Sequence, residues 1–316
     1  MSDPDRTPAP GSSAARPSAA ASTGADGPAT PRQLVKKGRE FLERHGVEEA
    51  RLDAELLVSH ALGLERLRMF LELDRPVEPH ELERARAMLV RRAKGEPTAY
   101  VTGVRDFYRH TFNVDRRVLV PRPETELVVD LARDWAKGRL FPSGGPRVLD
   151  VGTGSGCLAV TLALELDGSN VVAIDVSPEA LELARENAAR LGADVGFLEG
   201  DGLAPLADLG GRPFDLVVSN PPYVDPSQRD SLAREVRDHE PALALFGPAD
   251  DPDHWAVHLV LEAPRKMGPG GRLLVELGAD QWKRLEPRLR NVPGTLSVHA
   301  DLAGLPRVLV LDLPEA

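Results

Sequence analysis

From Arg147 onward the chain alternates short aliphatic runs with helix-patterned segments, and the first run empties into three glycines at alternate positions. Arg147-Val148-Leu149-Asp150-Val151 reads as a strand, Gly152-Thr153-Gly154-Ser155-Gly156 as a tight turn, and Cys157 to Leu166 as a helix. A second strand, Asn170 to Ile174, ends at Asp175. Ser177 then caps a helix that has Pro178 at its first position and runs to about Leu191. Val195 to Glu199 and Phe214 to Ser219 read as further strands, Trp255 to Met267 as a helix and Arg272 to Leu277 as strand five. Runs near Thr295 to His299 and Arg307 to Asp312 close the sheet. Such a rhythm predicts an α/β fold with a doubly wound, mostly parallel sheet and helices on both faces. Ligands bind such sheets at the carboxyl ends of the strands, near the switch point. Gly152 to Gly156, Asp175, Asp201 and Asn220 all follow strand ends, so one crevice can gather them.

Glycines let the backbone turn sharply and approach a ligand closely. Asp175 follows at the distance where a carboxylate accepts hydrogen bonds from both hydroxyls of a ribose. Gly200-Asp201-Gly202 could flank an adenine. Together these point to an adenosine-bearing cofactor held by Gly152, Thr153, Gly154, Ser155, Gly156, Asp175 and Gly202. A dinucleotide turn would place its third glycine one residue later, and no Lys-Ser/Thr is present for a P-loop. Spacing alone still leaves NAD open.

Asn220-Pro221-Pro222-Tyr223 ends the strand at Ser219. Two prolines stop a strand, because neither donates to a ladder and each restrains the residue before it. The rigid loop offers one side-chain amide, free carbonyls and an aromatic face, which suit a planar amide or amine. Taken alone, the same tetrapeptide could be a stiffened turn with a surface tyrosine.

The remaining chain divides by composition. Residues 1–30 are rich in Pro, Ala, Ser, Gly and Thr and read as a disordered tail. Residues 31–96 are helix-patterned: Leu34, Phe41, Leu42, Leu52, Leu56, Leu57, His60, Ala61 and Leu64 recur at helical spacing, giving a small helical bundle expected either to recognise a substrate or to steady the next domain. Arg84, Arg86, Arg91, Arg92 and Lys94 make its last helix basic, which reads first as a solvated face and second as a docking surface. Residues 97–120 carry short β-prone runs and several of the scarce aromatics, predicting a packed hairpin linker. Residues 121–316 form the cofactor domain, and Pro123 with Glu124 and Glu126 marks its first helix start.

With 316 residues, 42% of them hydrophobic, the chain can build a substantial core. A net charge of -10 argues against a broad nucleic-acid face, though not against a local basic patch. A single cysteine, Cys157, excludes an internal disulfide and fits a reducing compartment. No apolar run approaches the roughly 18 residues of a membrane span, and the first residues lack an apolar signal core. Cytoplasm is the default.

Val148 to Gly156 resembles the first motif of S-adenosylmethionine-dependent methyltransferases of class I, and Asp175 their ribose-binding acid. Within them, Asn-Pro-Pro-aromatic marks enzymes that methylate a planar nitrogen. From about Pro31 onward the chain resembles the peptide-chain release factor glutamine methyltransferases, the PrmC/HemK family. The resemblance rests on Asn220-Tyr223, Pro97-x-x-Tyr100-x-x-Gly103, Pro121-Arg122-Pro123-Glu124-Thr125-Glu126, His239-Glu240-Pro241, Glu276-x-Gly278, and Asp301-Leu302-Ala303-Gly304 with Arg307. It implies methyl transfer from S-adenosylmethionine, without a metal, to the side-chain N5 of the glutamine in the Gly-Gly-Gln motif of class 1 release factors. It also implies a monomer with that protein as partner, and no direct nucleic-acid or membrane contact. The catalytic residues would be Asn220, Pro221 and Tyr223, with Pro222 completing the substrate loop and Asn220 also touching the cofactor. Gly202 stands where many members carry a bulky residue on the adenine, leaving that wall to the backbone or to Leu203. The competing reading is an N6-adenine-type base methyltransferase using the same tetrapeptide on a flipped base; a non-catalytic cofactor-binding protein is the third.

Overall fold

The computed structural model describes residues 29–207 and 211–315. The expected tail therefore lies outside the described residues, except Ala29 and Thr30. Thr30 caps α1 (Pro31–Arg44): its hydroxyl accepts from the Gln33 amide, and the Gln33 side chain returns the bond. Three more helices follow, α2 (Ala50–Ala61), α3 (Arg66–Leu71) and α4 (Pro79–Ala93). They bury Leu34, Leu42, Leu57, Val58, Met69 and Leu89 in a core of their own. The basic residues of α4 are largely spoken for. Arg84 donates to the His60 carbonyl, Arg91 pairs with Glu96, and Arg92 donates to Asp53 at 2.6 Å while also pairing with Glu235.

The linker is only partly a hairpin. Thr98 to Thr102 is a short helix, α5, because Pro97 presets its entry and Gly103, at φ +78°, ends it in the left-handed region. Strands β1 (Val104–Phe107) and β2 (His110–Asn113) then pair antiparallel. Val118 to Val120 forms no strand; Val118 and Val120 pack with Tyr100, Val114 and Leu183, and the Tyr100 hydroxyl donates to the Val118 carbonyl at 2.5 Å.

After α6 (Glu126–Ala136) come β3 (Arg147–Val151), α7 (Cys157–Glu165), β4 (Asn170–Asp175), α8 (Pro178–Leu191), β5 (Val195–Glu199) and β6 (Phe214–Ser219). Short helices α9 (Arg234–His239) and α10 (Ala242–Leu245) precede α11 (His254–Glu262). The chain closes with β7 (Met267–Glu276), α12 (Gln281–Leu285), β8 (Thr295–Ala300) and β9 (Pro306–Asp312). The sheet order is β5-β4-β3-β6-β7-β9-β8, parallel from β5 to β7 and antiparallel at β9 and β8. This is the doubly wound, mostly parallel sheet that the alternation predicts.

Side chains alternate between its faces. Val148, Leu216, Val218 and Leu274 join α6, α7, Phe107 and Phe112 in one core, which seats the hairpin on the sheet. Leu149, Val217, Leu273 and Val275 join α11 and Leu285 in the other. One expectation is corrected here. The helix from Trp255 stops at Glu262; Pro264, lacking an N–H, turns Ala263–Lys266 into a 3-10 helix. Strand β7 begins at Met267 instead of Arg272, with Met267 paired to Phe214.

Candidate active site

β3 lies between β4 and β6, so the chain winds outward on both sides of it and leaves a crevice at the strands' carboxyl ends. A cavity of about 470 Å³ fills that crevice, within the roughly 300–1,000 Å³ of sites that bury a cofactor. Gly152, Thr153, Gly154, Ser155, Asp175, Gly202, Asn220, Pro221 and Pro222 all line it. Gly156 does not: at φ +80° it starts α7, and a Cβ there would press to 3.2 Å from that of Ala184. Tyr223 does not line it either. Its ring lies on Gly278, where a Cβ would stand 3.0 Å from Cδ2.

The glycine turn is held from beneath. Asp150 Oδ2 accepts from the Thr153 hydroxyl at 2.7 Å and the Ala159 amide at 3.2 Å, while Oδ1 has no partner. Full burial pushes this carboxyl up to about 7. At the end of β4, Asp175 accepts from the Gly154 amide at 2.8 Å through Oδ2 and from the Ser177 amide at 2.9 Å through Oδ1. Burial raises it, and these backbone donors oppose the rise. Each carboxylate oxygen keeps a further lone pair for a ligand hydroxyl. The Cys157 thiol is pushed up to about 12 by burial, which leaves it inert at neutral pH.

Asn220 follows β6, whose last residue is fixed by the Ser219 hydroxyl donating to the Val151 carbonyl at 2.7 Å. Asn220 Nδ2 donates to the Thr125 hydroxyl at 3.2 Å. That hydroxyl in turn supports the Glu276 carboxylate, which burial lifts to about 7 and whose Oε2 has no partner. A threonine has one proton to give, so donation to Glu276 leaves its oxygen to accept from Asn220. With Nδ2 bonded to Thr125, Asn220 Oδ1 is available as an acceptor.

The loop after the tetrapeptide is bolted to the Pro121–Glu126 turn. Arg122 donates to Glu240 Oε1 at 2.6 Å, and Glu240 Oε2 accepts from the Val120 amide at 3.2 Å. Burial raises the Glu240 carboxyl against the pull of Arg122. Tyr223, pushed up to about 12 by burial and by Glu276, stays protonated.

Two family models match the chain, described as the PrmC N-terminal domain over residues 33–103 and the methyltransferase small domain over residues 139–240. The release factor glutamine methyltransferase of Chlorobaculum tepidum is 45% identical over 252 residues, covering 78% of this chain and 85% of its own length. The chain belongs to the release factor glutamine methyltransferase family. The member from Geobacter sulfurreducens is 43% identical over 252 residues, covering 80% of this chain and 85% of its own length. The member from Rhodopirellula baltica is 37% identical over 307 residues, covering 92% and 99%.

A Cβ built at Gly152 or Gly154 meets no protein atom within 4 Å, so the turn presents bare backbone where larger residues would occupy the crevice. Sequence reasoning singled out Glu240 and Glu276 only as parts of motifs, and did not assign roles to Thr125, Asn187 or Trp255. Among the described residues, no helix is long and apolar enough to cross a membrane.

Proposed function

We propose that this chain transfers a methyl group from S-adenosylmethionine to the N5 amide nitrogen of the glutamine in the Gly-Gly-Gln motif of class 1 release factors. S-adenosylmethionine, when bound, supplies an electrophilic methyl on a sulfonium. The turn from Gly152 to Ser155 and Asp175 hold its nucleoside, Asp175 accepting from the ribose hydroxyls. Asn220 Oδ1 and the Pro221 carbonyl each accept one N–H of the glutamine carboxamide. The amide nitrogen is a poor nucleophile because its lone pair is delocalised. Two fixed acceptors hold it in line with the donor and stabilise the positive charge that develops on it. Pro222 keeps the loop rigid. Tyr223, seated on Gly278, flanks the acceptor side and packs its ring against the carboxamide plane. No base need act before transfer, because the proton leaves readily afterwards.

The observation that carries this reading is Asn220, its Nδ2 bonded to the Thr125 hydroxyl, lining the crevice together with Pro221, Asp175 and the glycine turn. The helical bundle recognises the protein substrate, and the enzyme works as a cytoplasmic monomer. Mass spectrometry of purified release factor, incubated with this protein and S-adenosylmethionine, tests the proposal. One added methyl on the Gly-Gly-Gln glutamine is expected. Its absence, with methyl incorporated into DNA or RNA instead, overturns it.

A further inference from the structure

Gly202 brings no side chain to its end of the crevice, and the fold fills the gap from elsewhere. Gly202 has φ +55°, and a Cβ on it would come within 2.9 Å of Cζ3 and 3.5 Å of Cη2 of Trp255. The indole thus occupies the space that a residue at 202 would claim. Trp255 is the second residue of α11, half-buried, and lines the cavity. Two imidazoles hold it nearly perpendicular to themselves: His254 with ring centroids 5.1 Å apart, and His258 at 5.9 Å. Leu203, the other candidate for this wall, is buried in the sheet core and does not line the cavity. Beside Asp175, Val176 lines the same cavity with 44% of its surface exposed, an open apolar side chain next to the ribose position.

We propose that Trp255 is the stacking wall for the adenine ring of the methyl donor, with Val176 against the opposite face, in place of a side chain at 202. The inference rests on the methyltransferase reading above. Asp175 anchors the ribose, so the attached base must extend past it toward Gly200-Asp201-Gly202, where Trp255 stands. An indole offers the largest flat surface of any side chain, and stacking on an aromatic contributes strongly to holding a base.

Calorimetry with S-adenosylhomocysteine, which cannot donate a methyl, tests the wall without turnover. Trp255→Ala is expected to weaken binding roughly ten- to hundredfold, and Trp255→Phe to retain most of it. The chain has three tryptophans. In a Trp135→Phe, Trp282→Phe protein the only indole emission, excited beyond the tyrosine band, comes from Trp255, and it should be quenched in step with S-adenosylhomocysteine binding. This second arm keeps the indole in place, so it decides the matter even where Trp255→Ala fails to fold. Emission that does not respond, or a folded Trp255→Ala protein that binds within about twofold of the parent, overturns the assignment. If the parent itself fails to bind S-adenosylhomocysteine, the methyltransferase reading falls and this inference with it. A parent that binds while Trp255 stays silent sinks the wall alone.

Discussion

Asn220 and Asp175 both end parallel strands, yet their surroundings give them separate tasks. Asn220 spends its Nδ2 on Thr125, and the proposed mechanism assigns its Oδ1 to the reacting amide. Asn220→Ala should therefore lower the methylation rate about a hundredfold, on the scale of losing an oriented polar group at a reacting centre. Calorimetric affinity for S-adenosylmethionine should change far less, and equal losses in both would count against the assigned role. Asp175 already holds the glycine turn through Gly154, so the turn is shaped before any ribose arrives. Asp175→Ala should weaken cofactor binding at least about tenfold, the effect of losing charge-assisted hydrogen bonds. Unchanged affinity by calorimetry rejects the ribose contact.

Asn187 on α8 joins three elements. Fully buried, it accepts from the Asn113 amide of β2 at 2.8 Å, and donates to the Asn113 carbonyl at 3.0 Å and the Ser155 carbonyl at 2.9 Å. Hairpin, helix and glycine turn are thereby locked together. Asn187→Leu keeps the volume but strands buried backbone groups, and should cost about 2–4 kcal/mol of stability, read from a urea midpoint. A change near zero would show that the hairpin is held by Phe107 and Phe112 alone. Nothing in the sequence marks this asparagine, because its partners at 113 lie 74 residues away. The same limit hid the Asn220–Thr125 pair, separated by 95 residues. The sheet was legible for the opposite reason. Runs such as Val148–Val151 and Leu216–Val218 carry their burial on every residue, and the glycine turn and Asp175 sit at fixed offsets from them. The helix ending at Glu262 was read too long because the apolar pattern runs on through Ala263 and Met267, while Pro264 decides the matter locally.

At the scale of the whole molecule, two buried carboxyls contribute one component of the response to pH. Asp150 and Glu276 rise by burial from ordinary values of 3.8 and 4.5 to about 7. Each binds its proton more tightly folded than unfolded. Their contribution to stability is full below the ordinary carboxyl range and is lost as pH rises through about 7. Thermal melts should show this component falling between about pH 5 and pH 8. Glu276→Gln, neutral at every pH, should flatten the slope; an unaltered slope would remove Glu276 from the account.

Arg92 carries a different whole-molecule consequence. One of its nitrogens grips Asp53 inside the bundle, and another reaches Glu235, twelve residues past Tyr223 in α9. Severing the chain between the two halves would break this link. A fragment beginning near residue 97 would leave Glu235 without its cation and uncover the flank where Gly95 lies against Arg234. An isolated carboxyl-terminal half made for crystallisation or screening is thus expected to loosen at α9, just downstream of Asn220–Tyr223.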